Sequence, residues 1–426
     1  MPSPHPVSKE NQKMDKIEQW NALAAVVNDR GGNGKETVLA MQELYAEYSP
    51  EMWEWYAGLF DTEIGGFYYS NSARDTEGYL PDIESTSQAT NAMRTKFNNL
   101  LNGYNEIPEW MIAKMAEFTR SLQDPDDGYM YHKQWGKNIL DSRRGRDLMW
   151  SEDMARKLGF KFDYPTATER LEKSLSSSEK KEDSALAEHL RSKEAFVKYM
   201  EALDWDNKAY YAGNMLAAQM YQIRAAGLMP VATEFLNGIQ DPVTGLWGKK
   251  RDYDAINAVL KIGCVYDEAP MPNRFKVAMA IMDFISSDGL FPHVCCQYNT
   301  FFAMKNVLNN FKLFGEQTVG EREKVVSTLL MRAPDAIRAT IKKIRPFKKG
   351  QGSFSYFPSC SSDRSQGAPA AVPNTAEGDV NATGICSGGM VGNIYAALDL
   401  TEYTVPRFGK PEYERFLEIV NSKRNK

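Results

Sequence analysis

Two acidic stretches hold the side chains best suited to catalysis. FYYSNSARDTEGYLPDIESTSQATNAM (67–93) carries Asp82 and Glu84 just after Pro81, among Tyr68, Tyr69 and Tyr79. NTAEGDVNATGI (374–385) carries Glu377 and Asp379 ahead of another helix-like run. Hydrolysis of a glycosidic bond needs two carboxyl groups flanking that bond, one protonated and one ionised. Asp82 and Glu84 are too near in sequence to flank a bond by themselves, so a partner from a distant loop is required, and Glu377 and Asp379 supply one. A second role stays open for Asp82 and Asp379, since each also stands where an N-cap carboxylate accepts backbone N–H groups. Asp252, Asp267 and Glu268 rank behind these four.

A different set suits elimination from a uronic-acid sugar, which needs a Tyr or His base and a group that neutralises the sugar carboxylate. GYMYHKQWG (128–136) offers Tyr129, Tyr131, His132 and Trp135. DSRRGRDL (141–148) offers Arg143, Arg144 and Arg146, and guanidinium forks match carboxylates. FPHVCCQYNTFF (291–302) adds His293, Tyr298 and Asn299. Each histidine could equally hold a structural hydrogen bond, and the arginines could form a surface salt-bridge patch. Trp135 and Trp247 are either stacking platforms for a sugar ring or core side chains.

These residues must be positioned by helices. Apolar stripes at helical spacing run through DKIEQWNALAAVVND, IPEWMIAKMAEFTRSLQD, YDAINAVLKIGCVYDE, NRFKVAMAIMDFISSDG, TFFAMKNVLNNFKLFG and KVVSTLLMRAPDAIRATIKKI. Strand-like alternation is confined to pieces such as GFYYS and GSFSYF. One phrase recurs between helices: GLFDTEIGGFYYS (58–70), SLQDPDDGYMY (121–131) and FLNGIQDPVTGLWG (235–248). Its Asp accepts hydrogen bonds from nearby backbone N–H groups, and its Gly takes a left-handed conformation. Asp61 and Asp124 lie 63 residues apart, Asp241 follows by 117, and Asp288 of ISSDGLFPH by 47. A last variant, FKKGQGSFSYFP, begins at Phe347. Such steps suit stacked helical hairpins.

The phrase resembles the repeat of α/α-toroid proteins, found among six-hairpin glycosidases, toroidal polysaccharide lyases and prenyltransferase or squalene-cyclase-like domains. The resemblance implies an all-α fold, a single toroid of about six hairpins with short strands or loops at one end. It also implies a carbohydrate in a central cavity, with Asp82 or Glu84 on one side and Glu377 or Asp379 on the other. Tyr131, His132, Trp135, Arg143, Trp247, His293, Tyr298 and Asn299 become substrate-binding candidates. One fold hosts many chemistries, so a lyase, a terpene cyclase and a non-catalytic binding module remain alternatives. DPDD (124–127) spells a cyclase acid motif, but a solvated turn is the wrong setting for so strong an acid. Protein prenyltransferases need zinc, and no convincing Asp/Cys/His set is present.

The expected organisation is a disordered lead-in over 1–13 and a toroid over 14–426. Within the toroid, the charged stretch 169–193 is a lid, a partner surface or a solvated helix pair, and 348–389 is a long loop near the cavity. The chain has 426 residues and a net charge of -5, which argues against general nucleic-acid binding. Its five cysteines show no zinc-type spacing and read as reduced core or lining thiols. No basic-then-apolar leader and no run of about 18 apolar residues occurs, so the expectation is a cytoplasmic protein without a membrane span. No metal or cofactor is expected, and the oligomeric state is left open.

Overall fold

The computed structural model describes residues 15–93, 100, 107–176 and 187–424. The expected lead-in lies outside them, as does the 177–186 part of the charged stretch. Residues 171 and 174–176 are described in backbone only.

The chain is mostly helical. A capping box between Asp15 and Glu18 starts α1 (Lys16–Asp29), and Asn33 caps α2 (Gly34–Ala46). Next come α3 (Glu51–Leu59), the two-residue strands β1 (Phe60–Asp61) and β2 (Gly66–Phe67), α4 (Asn71–Asp75), α5 (Ile83–Met93) and α6 (Glu109–Arg120). The charged DSRRGRDL run opens α7 (Asp141–Leu158), ended by left-handed Gly159. The middle of the chain holds α8 (Ala167–Ser176), α9 (Lys193–Glu201), α10 (Ala209–Ala218), α11 (Met220–Ala225) and α12 (Met229–Ile239). The apolar run YYAGNMLAAQMYQIRAAG (210–227) is divided at Gln219 into α10 and α11. Then follow α13 (Tyr253–Ile262), α14 (Arg274–Ser286), α15 (Cys295–Phe314) and α16 (Glu321–Ile344), which continues through buried Pro334. The 348–389 segment contains a second two-residue hairpin, β3 (Arg364–Ser365) with β4 (Ala368–Pro369). It then enters α17 (Val380–Gly384), a π-helical turn over 385–389, and α18 (Met390–Ala397). Finally α19 (Lys410–Arg424) packs on α3.

Packing runs from helix to helix. α13 lies against α10 and α15, α15 against α18, α17 against α5, and α5 against α7. Because α17 and α18 are one interrupted helical run, these contacts form a continuous row: α10, α13, α15, α17/α18, α5, α7. α14 packs on α15 and α16, and α16 on α2. One apolar core extends from Trp20 to Val420, and a smaller one gathers Ile83, Phe118, Leu122, Met130, Leu148 and Met154.

The three turn phrases adopt one geometry. The Oδ1 of Asp61 accepts from the N–H of Glu63 and Ile64, that of Asp124 from Asp126 and Asp127, and that of Asp241 from Val243 and Thr244. Gly65, Gly128 and Gly245, each four residues after its Asp, have φ of 88°, 77° and 73°. A Cβ there would also meet backbone, at 2.3 Å from Lys114 O and 2.4 Å from Pro165 O in the first two. The residue two beyond each of these glycines turns inward: Phe67, Met130 and Trp247 are all buried. Trp247 is 0% exposed and donates its indole N–H to Leu236 O at 2.9 Å. The platform expected of Trp247 is therefore corrected: it is a core anchor with no face to offer a ligand. Asp288 starts no such turn, and Gly289 keeps an ordinary φ. Among the described residues no helix is long and apolar enough to cross a membrane.

Candidate functional site

The α5 and α7 helices face each other across a buried charge cluster. Arg143, 1% exposed, donates Nη2 to Asp82 at 2.8 Å and Nη1 to Glu84 at 3.1 Å, while its Nε lies 2.9 Å from Asp147. Burial opposes the guanidinium charge, but the carboxylates of Asp82, Asp147 and Glu84 outweigh it and raise the Arg143 pKa. Burial pushes the Asp147 carboxyl up to about 7, with Arg143 pulling it down and its acidic neighbours adding to the rise. Asp82 also caps the start of α5, accepting the N–H and hydroxyl of Ser85. Both of its oxygens are thereby committed.

Glu84, the second residue of α5, gathers more donors. Besides Arg143, it accepts from Arg146 Nη2 at 2.7 Å, Ser365 Oγ at 2.8 Å and Gln88 Nε2 at 3.0 Å. Arg146 is a third exposed, so this end of the cluster reaches solvent.

Tyr131 and His132 are committed elsewhere. The hydroxyl of Tyr131 donates to Asp127 at 2.7 Å. His132 Nε2 lies 2.8 Å from Pro81 O, and its Nδ1 accepts the Gln134 N–H at 3.2 Å. That pairing places the proton on Nε2, and burial lowers the ring's pKa, so the imidazole is neutral and fully engaged in holding the entry to α5. Trp135 stacks on His132 with centroids 3.9 Å apart and carries the Arg143 guanidinium 4.9 Å from its ring.

Asp379 caps α17 and is 0% exposed. Its oxygens accept the N–H of Ala382 and of Tyr356, both at 2.8 Å, together with the Tyr69 hydroxyl. Burial pushes this carboxyl up to about 7, against the pull of those donors. Tyr69 is buried and feels the charges of both Asp379 and Glu84. Gln88 links the two helix starts, donating to Glu84 at 3.0 Å and to Asn381 at 3.2 Å. Glu377 stands apart from this cluster, accepting the N–H and hydroxyl of Ser72.

A third group comes from α13 and α15. Asn299 Nδ2 donates to the Tyr253 hydroxyl at 3.1 Å and to Asn257 Oδ1 at 3.0 Å. Tyr298 is hydrogen-bonded to Asn393, and Tyr210 to Asn257. His293 stacks on Tyr356 with centroids 5.5 Å apart, and burial lowers its pKa. Cys295 lies 3.8 Å from the Tyr356 hydroxyl, and burial pushes its thiol up to about 11. All five cysteines are unpaired. Among the described residues no three His, Cys, Asp or Glu side chains stand together as a metal site.

The structure thus brings Asp82, Glu84, Arg143, His132 and Trp135 into one cluster and His293, Tyr298 and Asn299 into another, with Asp379 beside both. Trp247 and Glu377 fall outside. Asp252 caps α13, and Glu268 pairs with Arg224. Sequence reasoning missed Tyr69, Gln88, Tyr210, Asn257 and Tyr356 as members. The signal available was a polar stripe at four-residue spacing, Tyr253, Asn257 and Lys261, on an otherwise apolar helix. No protein family, curated protein or solved structure matches this chain.

Proposed function

We propose that the chain is a carbohydrate-acting enzyme, a glycoside hydrolase in which Asp379 is the acid and Glu84 its carboxylate partner. One observation carries the reading: two buried carboxyl groups near neighbouring helix starts meet opposite surroundings. Glu84 is bound by two guanidinium groups, whereas Asp379 is held by neutral donors and its carboxyl is pushed up to about 7. A carboxyl raised toward neutrality beside a second carboxylate is what acid-assisted glycoside cleavage needs. The Gln88–Asn381 link and Tyr69, which senses both charges, support their belonging to one site.

In this reading the row α10, α13, α15, α17/α18, α5, α7 is the inner wall of an α/α toroid of about six hairpins. Tyr210, Tyr253, Asn257, Tyr298 and Asn299 would supply rings for stacking and amides for sugar hydroxyls. The lyase alternative has less support. Tyr131 and His132 are occupied, and the hydroxyls of Tyr210, Tyr253 and Tyr356 are all shifted upward by burial, away from the ionised form a base needs. The cyclase alternative also has less support: Asp124 is paired with Lys137, whose hydrogen bond foremost lowers its pKa, Asp126 is exposed, and Asp127 accepts the Tyr131 hydroxyl.

The test is turnover of a panel of aryl glycosides by wild type, Asp379→Asn and Glu84→Gln, with circular dichroism to confirm folding. Each variant is expected to lose about 10²-fold or more in kcat with little change in KM. Because Asp379 acts while protonated, wild-type turnover should fall as pH rises through about 7. Full turnover in both variants on a glycoside that wild type cleaves would overturn the reading. Sugar binding without cleavage of any glycoside would leave a binding module.

A further inference from the structure

Glu84 is the carboxylate proposed to meet the ligand, yet it is 2% exposed. Among the described residues its donors are Arg143 and Arg146 from α7, Gln88 from α5, and Ser365 from the β3–β4 hairpin. Ser365 holds both members of the Glu84–Arg143 pair. Its hydroxyl donates to Glu84 at 2.8 Å, and its carbonyl accepts Arg143 Nη1 at 3.3 Å. The hairpin therefore closes over a cluster that α5 and α7 build between themselves. A ligand reaches Glu84 only when some cover moves. The two helices pack on each other, whereas the hairpin meets them through its tip.

The hairpin can move as one piece. Its strands have two residues each and are joined by Gln366 and Gly367, with φ of 50° and 83°, the left-handed pair of a tight hairpin turn. Of residues 364–369 only Ala368 is buried. A two-stranded hairpin with so little apolar burial has little stability of its own. Its tip is held by the two Ser365 bonds and by Gly367, where a Cβ would lie 2.8 Å from Leu140 Cδ1, and Leu140 is itself 59% exposed. Its base is held more firmly. Asp363 O accepts the N–H of Ala370 at 2.8 Å and of Ala371 at 3.3 Å, and both alanines pack on buried Tyr69. The return limb is fixed to α4: Glu377 accepts the Ser72 N–H at 2.8 Å, and the Val372 N–H donates to Ser72 Oγ at 3.2 Å. A lightly held tip on a fixed base makes a hinge.

We infer that the β3–β4 hairpin is a flap over Glu84, hinged at Asp363 and latched by Ser365, which lifts to admit the ligand. The inference rests on the reading of this cluster as the catalytic site. A long segment with so little secondary structure inside a compact body is commonly a lid, and a lid that returns shields the reacting groups from water. Ser365 is a positioning residue. With the flap down it fixes one oxygen of Glu84, and with the flap lifted it frees that oxygen for the ligand.

The experiment has two arms. The first is hydrogen exchange by mass spectrometry, which needs no substrate. Wild-type amides over 363–370 are expected to exchange about tenfold or more faster than those of α5 and α7. Ser365→Ala removes a bond to a charged acceptor and should speed the hairpin by about another tenfold while leaving α7 unchanged, and Ser365→Thr should behave as wild type. The second arm locks the flap with Leu140→Cys and Gly367→Cys, positions close enough for a disulfide. On any glycoside that wild type cleaves, the oxidised pair is expected to lose about tenfold or more in turnover and to regain it on reduction, with wild type passed through the same oxidation as control. Hairpin exchange as slow as that of α7, unchanged exchange in Ser365→Ala, or full turnover by the oxidised pair would overturn the inference. Its failure is separable from that of the hydrolase reading. If glycosides are cleaved with full dependence on Asp379 and the oxidised pair cleaves them equally well, the flap falls and the hydrolase stands. If the hairpin exchanges as expected and no glycoside is cleaved, the flap stands and the hydrolase falls.

Discussion

Replacing Arg143 with methionine should cost about 3–5 kcal/mol of stability near pH 8, the usual result of breaking a buried ion pair, and much less near pH 5. Methionine keeps an unbranched stem against Trp135 and removes only the charge. Three carboxyl groups would remain where the guanidinium sat, with Arg146 touching Glu84 alone. The direction with pH follows from Asp147, whose folded pKa is raised from 3.8 to about 7. A shift of that size is worth roughly 4 kcal/mol. Between those two values the folded state holds a proton that the unfolded state has released. The Asp147 contribution to wild-type stability therefore falls as pH rises through that window and is level above it. Without Arg143 all three carboxyls lose a counter-charge, the folded value of Asp147 rises further, and the deficit grows with pH. The assay is urea unfolding of wild type, Arg143→Met, Asp147→Asn and the double variant at three pH values. Asp147→Asn cannot ionise, so it should flatten the pH dependence and partly restore Arg143→Met near pH 8. A deficit below about 1 kcal/mol near pH 8, or one independent of pH, would refute the idea that Arg143 is the counter-charge of this cluster.

Two further outcomes concern the turn phrase. Gly128→Ala should destabilise by more than about 1 kcal/mol, since the position is left-handed and a Cβ meets Pro165 O at 2.4 Å. Gly136→Ala, left-handed but in open space, should cost less, and equal midpoints in urea would contradict the close-approach argument. Trp247→Ala should lose about 3–5 kcal/mol as a core truncation. Calorimetry on Trp247→Phe should show unaltered sugar affinity, and a tenfold weakening would return Trp247 to the ligand site.

The turns were legible because their partners are local. Asp61, Asp124 and Asp241 satisfy N–H groups two and three residues ahead, so composition and order suffice to specify them. Where the next aromatic goes is not local: the phrase leaves Trp247 either a platform or a core side chain, and the core takes it. The arginine run misled for the same reason. Dense charge in DSRRGRDL suggests a solvated face, and nothing within the run says that Asp82 and Glu84 wait 61 and 59 positions earlier. Only the Arg143–Asp147 pair, four residues apart on α7, was open to inspection.

Helical spacing could have revealed more of the site than individual reactive residues did. On α13 the side chains of Ile256, Val259 and Ile262 are buried in the apolar core, while Tyr253 and Lys261 are only partly buried and Asn257 is tied to Asn299. A surface helix would carry charges along its second face, and a helix surrounded by core would carry none. Tyr, Asn and Lys at four-residue steps fit neither case, because rings and amides can serve a polar interior where water and ligand compete. A four-residue step also joins Glu84 and Gln88 on α5, and steps of three and four join Arg143, Arg146 and Trp150 on α7. Stripes of this mixed kind identify helices whose polar side chains meet even when their sequence separation, 293 positions between Gln88 on α5 and Asn381 on α17, hides the contact between them.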